Sequence, residues 1–427
     1  MENNNENLKN SNSENSSFFE QKVSSSNGLE GLRFKEFSSK IQYLKFEKTI
    51  KLYRGSSPRP IIKYITKAPH GVNWIKIGDM PENGNFVANI SERITPEGAK
   101  KSRKVEIGDI ILSNSMSFGK PYIMGVAGYI HDGWFVIREF EKYFDKEYLC
   151  QLLVSPFVQN QYKKLAAGGV VLNISSDLVN SVNVPIISIV EQKKIANFLS
   201  LIDKRIEKQR QLVESLKKYK RGLISKIFEQ SCKNGEIVKL EAIGNFYNGL
   251  SGKNKEDFGI GDDIFITYMN VYKNVVADSN MCDKVKIKTN ESQNEVQYGD
   301  ILFTQSSETL EEVGFSSVWL SKQTAYLNSF CFGFRLLDLD NVDPVFISYY
   351  MRTNNIRKLI MREGQGTTRV NLSSERLKQI KIELPRINIQ KQIANIMLKT
   401  DERINMSKQI VFALTNMKQG LLQQMFI

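Results

Sequence analysis

Two long stretches of the chain carry apolar residues at steps that alternate between four and three positions. The first covers residues 188–232, the second covers residues 387–427, and neither contains a proline. Such steps place the apolar side chains in one stripe along a helix, the heptad pattern of helices that pack along one another. We predict two long helices of roughly 40 residues, about 60 Å each at 1.5 Å per residue. Their predicted seam consists of Ile195, Leu199, Ile202, Ile206, Val213, Leu216, Leu223, Ile227, Ile393, Met397, Ile404, Val411, Leu414, Leu421 and Met425.

The segments before these helices follow a different pattern. Short β-rich runs, such as residues 74–77 and 264–268, are separated by clusters of Gly, Asn, Asp and Ser, which is typical of strands joined by turns. Each segment also contains a helical pattern, near residues 146–164 and near residues 344–362. We therefore predict an α+β fold with two globular domains of ordinary size, each followed by a long helix.

The two halves of the chain are related in sequence. Gln192 corresponds to Gln390 and Asp203 to Asp401, both at an offset of 198, and residues 173–176 correspond to residues 371–374 at the same offset. The chain is therefore a tandem duplication. Because the two helix seams match, we expect the helices to pair with each other as an antiparallel coiled coil with pseudo-twofold symmetry. Two ordinary core helices are the alternative.

These patterns predict five segments of the chain. The first segment is mostly Asn, Ser and Glu, so it cannot bury enough apolar surface to fold and is expected to be a disordered tail. The predicted segments are a tail at 1–28, a first domain at 29–187, a central long helix at 188–232, a second domain at 233–386 and a C-terminal long helix at 387–427.

Charge and cysteine content narrow the class of protein. The 59 Lys and Arg residues exceed the 46 Asp and Glu residues, which gives a formal net charge of +13. A positive charge of this size suits a polyanionic partner such as nucleic acid. The four cysteines lie far apart, without metal-site or disulfide spacing. No membrane-spanning run or export signal is recognisable, so we expect a cytoplasmic protein.

The motifs of catalysis are missing from the sequence. The two histidines, His70 and His131, both lie in the first half, so neither is part of the duplicated framework. No phosphate-binding loop is present, because the Gly252-Lys253 pair lacks the required spacing. The Gly-x-Gly at Gly364 to Gly366 follows a helical pattern instead of a strand and is interpreted as a turn. We predict no catalytic centre, no metal site and no cofactor in this chain.

Several of the repeated motifs together resemble one family. They are the Gln-x-x-Ile-Ala and Asp-x-Arg-Ile segments that follow a proline, the Gly-Asp-Ile strand of each domain, and the Asn-Ile/Leu-Ser-Ser approach to each helix. Residues 32–37 add a Leu-Arg-Phe opening, with Lys35 where proline is usual. Over residues 29–427 the chain resembles the specificity subunits of type I restriction-modification systems.

The resemblance implies a function in DNA recognition. Each globular domain would be a target recognition domain that reads one half of a bipartite DNA site. The paired helices would be a spacer and would dock two methyltransferase subunits. S-adenosylmethionine, ATP and Mg²⁺ would belong to the methyltransferase and restriction/translocase partner subunits. The chain itself would be non-catalytic and would bind double-stranded DNA.

Candidate DNA-binding residues are of two kinds, since phosphate contacts position a protein and base-edge contacts specify sequence. Two glycine-punctuated loops, residues 54–60 and 248–255, offer both kinds of group, and a solvated turn is the alternative for each. Their candidates are Arg54, Ser56, Ser57, Arg59, Ser251, Lys253 and Lys255. The segments before the long helices add Gly168, Gly169, Asn173, Thr367, Thr368, Arg369 and Asn371, of which the two asparagines could instead cap turns. Strand ends and matching loops add Lys76, Ser113, Ser115, Tyr268, Asn270, Gln305 and Ser306.

Two other classes of protein are consistent with parts of the sequence. The first is a non-catalytic coiled-coil adaptor without DNA readout, against which the net charge and the basic loops argue. The second is a restriction enzyme with fused catalysis, which would need methyltransferase and nuclease motifs that we do not find. The sequence leaves open the recognised bases and the spacer length.

Overall fold

A computed structural model describes residues 19–24, 30–81, 83–114, 119–166, 174–233, 235–366 and 368–426. The chain forms two compact units. The first contains Met1–Gln211 and Lys408–Ile427, and the second contains Leu212–Ser407. Each unit therefore includes one globular domain and one half of each long helix.

The globular part of the first unit is built on two sheets. A five-stranded sheet has the order β4-β12-β9-β10-β6, and a four-stranded sheet has the order β7-β5-β11-β8. Two-stranded pairings join β1 to β2 and β3 to β13. The strands are β1 (Phe19–Ser24), β2 (Glu30–Phe34), β3 (Gln42–Lys45), β4 (Lys51–Arg54), β5 (Val72–Ile75), β6 (Phe86–Val87), β7 (Glu92–Ile94), β8 (Arg103–Val105), β9 (Ile110–Ser113), β10 (Pro121–Met124), β11 (Gly128–Ile130), β12 (Trp134–Arg138) and β13 (Asn183–Ile186).

The second unit repeats this arrangement. Its sheets have the orders β15-β23-β19-β21 and β17-β16-β22-β18, which match the first unit strand for strand apart from β6. The strands are β14 (Glu236–Lys239), β15 (Gly244–Asn248), β16 (Phe258–Ile266), β17 (Cys282–Val285), β18 (Glu295–Val296), β19 (Ile301–Thr304), β20 (Ser306–Ser307), β21 (Ser316–Val318), β22 (Ala325–Leu327), β23 (Cys331–Leu336), β24 (Val370–Asn371) and β25 (Lys381–Leu384).

Helices flank the sheets in both units. Those that begin in the first unit are α1 (Pro96–Ala99), α2 (Lys146–Val154), α3 (Pro156–Ala166), α4 (Ser176–Ser181) and the long α5 (Ile189–Cys232). Those that begin in the second unit are α6 (Leu240–Ile243), α7 (Tyr268–Lys273), α8 (Pro344–Met351), α9 (Asn354–Glu363), α10 (Ser374–Lys378) and the long α11 (Ile387–Met425). The prediction of two α+β domains, each followed by a long helix, is confirmed.

The Gly-Asp-Ile motif of each domain has a structural reason. Gly108 and Gly299 both have φ of +89°, a conformation that glycine adopts without steric cost. The aspartate that follows binds an arginine on a neighbouring strand: Asp109 accepts from Arg138 and Asp300 from Arg335, each at 2.8 Å. The next four residues form β9 or β19, both fully buried. The motif therefore marks the turn into the central core strand of each domain.

The long helices pack in the same way in each unit. In the first unit the start of α5 shares a core with the end of α11, including Ile195, Leu199 and Leu422, and Phe426 directly after α11 packs in the same core. In the second unit the end of α5 shares a core with the start of α11. Because the start of one long helix packs against the end of the other in both units, the two helices are antiparallel. The ion pairs Asp203–Lys418 and Lys220–Asp401, both 2.6 Å, repeat this contact at the offset of 198.

A buried glutamine fixes each long helix to its own domain. The side chain of Gln192 accepts from the Asp145 N–H at 2.8 Å and donates to the carbonyls of Tyr143 and Ile187. Gln390 repeats all three bonds with Asp343, Asn341 and Pro385, at the offset of 198. The repeated Gln-x-x-Ile-Ala motif is therefore the joint between domain and helix.

Two local expectations differ from the structure. Phe19–Ser24, within the segment expected to be a disordered tail, form β1 paired with β2. The expectation of a tail considered only the burial of apolar side chains, whereas pairing of two strands also provides hydrogen bonds for the backbone N–H and C=O groups. Residues 1–18 and 25–29 lie outside the described residues. In each domain, the segment expected to form one short helix forms two. The first pair is interrupted at Ser155 and the second at Thr353. The hydroxyls of these residues donate to the carbonyls of Leu152 and Tyr350, respectively.

Candidate nucleic-acid interface

The basic loop of each domain starts at a glycine that the fold requires. A Cβ at Gly55 would lie 2.0 Å from the carbonyl oxygen of His131, and a Cβ at Gly249 would lie 2.2 Å from that of Asn328. Both distances are shorter than any real contact, so each loop passes its neighbouring strand end more closely than a larger residue allows. The two loops thus leave equivalent places in the two domains.

The loop of the first domain is organised around Asp132. One carboxylate oxygen accepts from the Ser57 hydroxyl at 2.6 Å, and the other accepts from Arg59 at 3.2 Å. The hydrogen bond from Ser57, with smaller help from His131 and Arg59, lowers the pKa of Asp132 below its usual range. The Arg59 side chain remains 82% exposed. An exposed pair of this kind is weak, so Arg59 can exchange its carboxylate for a phosphate.

Further cations lie beside this loop. Arg103 donates to the Arg54 carbonyl at 3.2 Å, and the Ser56 hydroxyl donates to the Lys101 carbonyl at 3.0 Å. Arg54 itself donates to the Asp132 carbonyl at 3.3 Å. Our candidates omitted Lys101 and Arg103, although the basic run at residues 100–104 was a visible signal. Together these side chains form a basic surface around the loop.

The remaining candidates of the first domain divide into exposed and buried positions. Lys76 lies at the end of β5 and forms an ion pair with Glu92 at 3.3 Å. Ser113 is fully buried in β9, which removes it as a DNA contact because the core strand has no access to a ligand. Ser115, Gly168, Gly169 and Asn173 lie outside the described residues.

His131 is a packing residue. Its ring lies 6.1 Å from the rings of both Trp74 and Trp134, and its Nδ1 accepts from the Gly133 N–H at 2.9 Å. Burial lowers its pKa below the usual value, which favours the neutral ring. These contacts account for the histidine without a catalytic role.

The loop of the second domain holds its lysine differently. Lys253 donates to the Lys286 carbonyl at 2.6 Å and to Glu291 at 2.5 Å, and its side chain is only 3% exposed. Bonds from Lys253 and Gln293 lower the pKa of Glu291 to about 2, so that carboxylate stays ionised at neutral pH. Lys253 is therefore already paired, contrary to the expected phosphate contact. The Ser251 N–H donates to the side-chain oxygen of Gln293, and the side-chain nitrogen of Gln293 donates to the Ser251 carbonyl. Lys255 is exposed.

Three other candidates of the second domain meet in one cavity of about 320 Å³. Tyr268, Ser306 and Arg369 all line it. The ring of Tyr268 stacks with that of Tyr272 at 6.2 Å, and its hydroxyl donates to the Ser306 carbonyl at 2.7 Å. The structure thus brings together residues that are up to 101 positions apart in the chain.

The other candidates near this cavity differ in exposure. Asn270 is fully buried, and its side chain bonds both backbone groups of Asp278; it therefore fixes a loop and does not contact DNA. Gln305, Thr368 and Asn371 are exposed. Asn371 pairs with Ser306 across β20 and β24. Thr367 lies outside the described residues.

Two arginines, the half-buried Arg352 and the buried Arg357, support the wall of this cavity. Arg352 donates to the carbonyls of Ser316, Val271, Tyr272 and Asn274, and Arg357 donates to those of Gly314, Glu311 and Val313. Both guanidinium groups lie over the ring of Phe315, at 5.0 and 4.6 Å. Burial lowers the pKa of each to about 10, yet both stay charged at neutral pH. No sequence motif predicted this support, because the carbonyls belong to residues far from the arginines along the chain.

The long helices also carry exposed apolar side chains. In the first unit these include Ile410 and Met417, and in the second unit they include Leu212 and Tyr219. Ile410 is offset by 198 from Leu212, and Met417 by 198 from Tyr219. Exposed apolar side chains at equivalent positions indicate surfaces that a partner can cover. The predicted seam itself is buried or half-buried along both helices.

The described residues contain neither a membrane-spanning helix nor a cluster of metal ligands. No described helix combines the length and the apolar character that crossing a bilayer requires. No group of three or more His, Cys, Asp or Glu side chains is placed to hold a metal ion within the described ranges.

Comparison with known proteins gives a consistent set of relatives. The family described as "Type I restriction modification DNA specificity domain" matches residues 56–218 and again residues 233–416. The chain is 25% identical over 292 residues to the type I restriction enzyme EcoKI specificity subunit of Escherichia coli (strain K12), covering 61% of this chain and 62% of that protein. It is 24% identical over 190 residues to the StySPI specificity subunit of Salmonella potsdam, covering 40% of each. The matched region thus spans about three-fifths of the length of the first relative.

Solved structures share the fold. The S subunit of the type I restriction-modification system from M. genitalium superposes with a TM-score of 0.53 at 15% identity, covering 91% of this chain and 96% of that chain. A chain from a structure titled for complex assembly and conformational transition of the type I R-M system gives a TM-score of 0.60 at 14% identity, covering 90% and 96%. At these identities the similarity establishes a common fold.

Proposed function

The chain belongs to the type I restriction modification DNA specificity family, and from that membership we propose that it is the DNA-reading subunit of a type I restriction-modification complex. Each globular domain reads one half of a bipartite double-stranded DNA site. The chain performs no catalysis itself. Its adenine methyltransferase and restriction/translocase partners supply the chemistry.

The observation that carries this proposal is the repeated domain with a diverged loop. The two domains share a sheet order and the same joint to a long helix. Their exposed loops differ, since Arg59 is open to solvent whereas Lys253 is paired. A common framework with different loops is what reading two different half-sites requires, because base-edge contacts depend on loop side chains.

The long helices are the proposed docking surface for two methyltransferase subunits. Leu212 and Tyr219 on α5 and their equivalents Ile410 and Met417 on α11 are exposed. Because the exposed positions are repeated at the duplication offset, the same kind of partner can bind twice. The paired helices also separate the two half-sites as a spacer. S-adenosylmethionine, ATP and Mg²⁺ are assigned to the partner subunits, and the complex acts on DNA in the cytoplasm.

Sequencing of methylated adenines tests this function. Genomic DNA is compared between host cells with this gene and its methyltransferase partner, and the same cells with this gene deleted. A split motif that is methylated only when the gene is present supports the proposal. Unchanged methylation together with no salt-dependent binding to DNA would leave the chain as a coiled-coil adaptor.

A further inference from the structure

The cavity of the second domain contains two charged groups that the fold does not use. Neither Arg369 nor Glu308 makes a hydrogen bond or ion pair with any described residue, and both are exposed at the cavity's lining. The neighbouring Arg352 and Arg357, by contrast, bond seven carbonyl oxygens between them. The guanidinium groups of Arg352 and Arg357 are thus held by the backbone, whereas the charged groups of Arg369 and Glu308 are open to a ligand.

The charges of the cavity argue against a phosphate ligand. Two carboxylates, Glu308 and Glu312, line it against the one guanidinium of Arg369. Glu312 accepts from the hydroxyls of Tyr272 and Ser307, so it is part of the wall. Arg352 and Arg357 are charged too, but their guanidinium groups are bonded to backbone carbonyls. Among the described lining residues, Arg369 alone offers a positive charge to a ligand, and the unpaired carboxylate of Glu308 in the same lining disfavours a phosphate. A neutral ligand with both donors and acceptors fits the remaining groups.

The edge of a G·C base pair has that composition. In the major groove guanine presents two acceptors, N7 and O6, which match the two parallel donors of a guanidinium, and cytosine presents an amino donor that a carboxylate accepts. We propose that Arg369 and Glu308 read one G·C pair in the half-site of the second domain, a deduction that rests on the proposed function. Tyr268 and the exposed Phe330 form the adjoining apolar wall.

The first domain does not carry this pair of side chains. At the offset of 191 that aligns the core strands, Glu308 corresponds to Ser117, and at the offset of 198 Arg369 corresponds to Val171. The proposed contact with a G·C pair therefore belongs to one half of the DNA site only. Changes at these two positions should leave the half-site of the first domain intact.

The test measures the methylated motif of cells that express the full chain with its partners. Arg369→Gln and Glu308→Gln should each make one G·C position of one half-site degenerate, while the other half is unchanged. Arg369→Lys should also relax that position, because a lysine keeps the charge but lacks the two parallel donors. Arg386→Gln is the matched control, since Arg386 is exposed and lies outside the cavity lining.

A second measurement uses the purified complex and modified duplexes. Replacement of one guanine of the half-site by 7-deazaguanine removes the N7 acceptor. Binding of the duplex by the unaltered protein should therefore weaken by roughly five- to hundredfold, the range expected when a bidentate contact is lost. The Arg369→Gln variant should not respond to the replacement. Retention of every base preference in the variants, or uniform weakening across all sequences with Arg369→Lys restoring it, would overturn the inference. Absence of any motif with the unaltered chain would instead refute the proposed function.

Discussion

The loop after β4 in the first domain and the loop after β15 in the second begin at equivalent glycines but hold their cations differently. Arg59 makes one exposed contact with Asp132, whereas Lys253 is enclosed by Glu291 and a carbonyl. Around them the frameworks agree closely, with Gln192 and Gln390 making the same three bonds. Duplication has therefore preserved the parts that orient each domain on its helix and has changed the parts that face a ligand.

Loss of the glutamine that joins each domain to its long helix should give the largest loss of stability, and the loss should be equal in the two copies. Gln192→Ala and Gln390→Ala each leave two carbonyls and one N–H buried without their partner, at about 1–3 kcal/mol per group. We expect a loss of about 4–6 kcal/mol in the free energy of unfolding for each variant, measured by urea denaturation. Gln423→Ala is the control, because Gln423 is exposed on α11. A large loss in only one copy would mean that the joints are not equivalent.

Loss of a buried arginine in the second domain should destabilise the protein more than loss of the equivalent residue in the first domain. Arg357→Met leaves the carbonyls of Gly314, Glu311 and Val313 without their donor, and we expect about 2–4 kcal/mol of destabilisation. The equivalent of Arg357 in the first domain is Gln159, which makes one side-chain bond to the Leu153 carbonyl. Gln159→Ala should therefore cost only about 1 kcal/mol. Equal costs for the two variants would contradict the assigned role of the guanidinium.

The loops should differ in how salt affects DNA binding. Arg59→Gln should reduce the slope of log affinity against log salt concentration by about 0.9, as expected for one lost phosphate contact. Lys253→Gln should leave the slope unchanged, because Glu291 already neutralises that lysine. Glu291→Gln releases Lys253 and should raise the slope. A lower slope for Lys253→Gln would show that the lysine leaves its carboxylate to bind DNA.

The helix ion pairs should give the smallest effect. Lys220→Met and Lys418→Met each remove one half-exposed pair, with Asp401 and Asp203 respectively. Solvent screening limits each contribution to about 0.5–1 kcal/mol. Lys217→Met, which removes an exposed pair with Glu214, is the control and should have no measurable effect on thermal unfolding. A difference between Lys220→Met and Lys418→Met larger than this range would show that the two helix contacts are not equivalent.

The features that were predicted from sequence are those with a regular pattern. Heptad spacing predicted α5 and α11, and the constant offset predicted the repeated domain. The Gly-Asp-Ile motif was also recognisable, because a positive φ favours glycine and a buried strand favours a short run of apolar residues.

The features that were missed depend on distant residues. Whether Lys253 is free depends on Glu291, 38 positions away, and Arg352 acts on carbonyls that any residue can supply. Ser113 and Asn270 were proposed as contacts from their position near strand ends, yet both are buried. A polar residue at the boundary of a loop can either contact a ligand or hold the loop in place, and the type of residue does not distinguish these two roles.

Exchange of one domain tests the central claim most directly. Residues 235–386 are replaced by the corresponding domain of a relative with a different half-site, both long helices are kept, and methylated adenines are sequenced in cells that supply the partner subunits. Two independent reading domains predict that one half of the motif changes to that of the donor and the other half stays as it was. A simultaneous change of both halves would contradict the account.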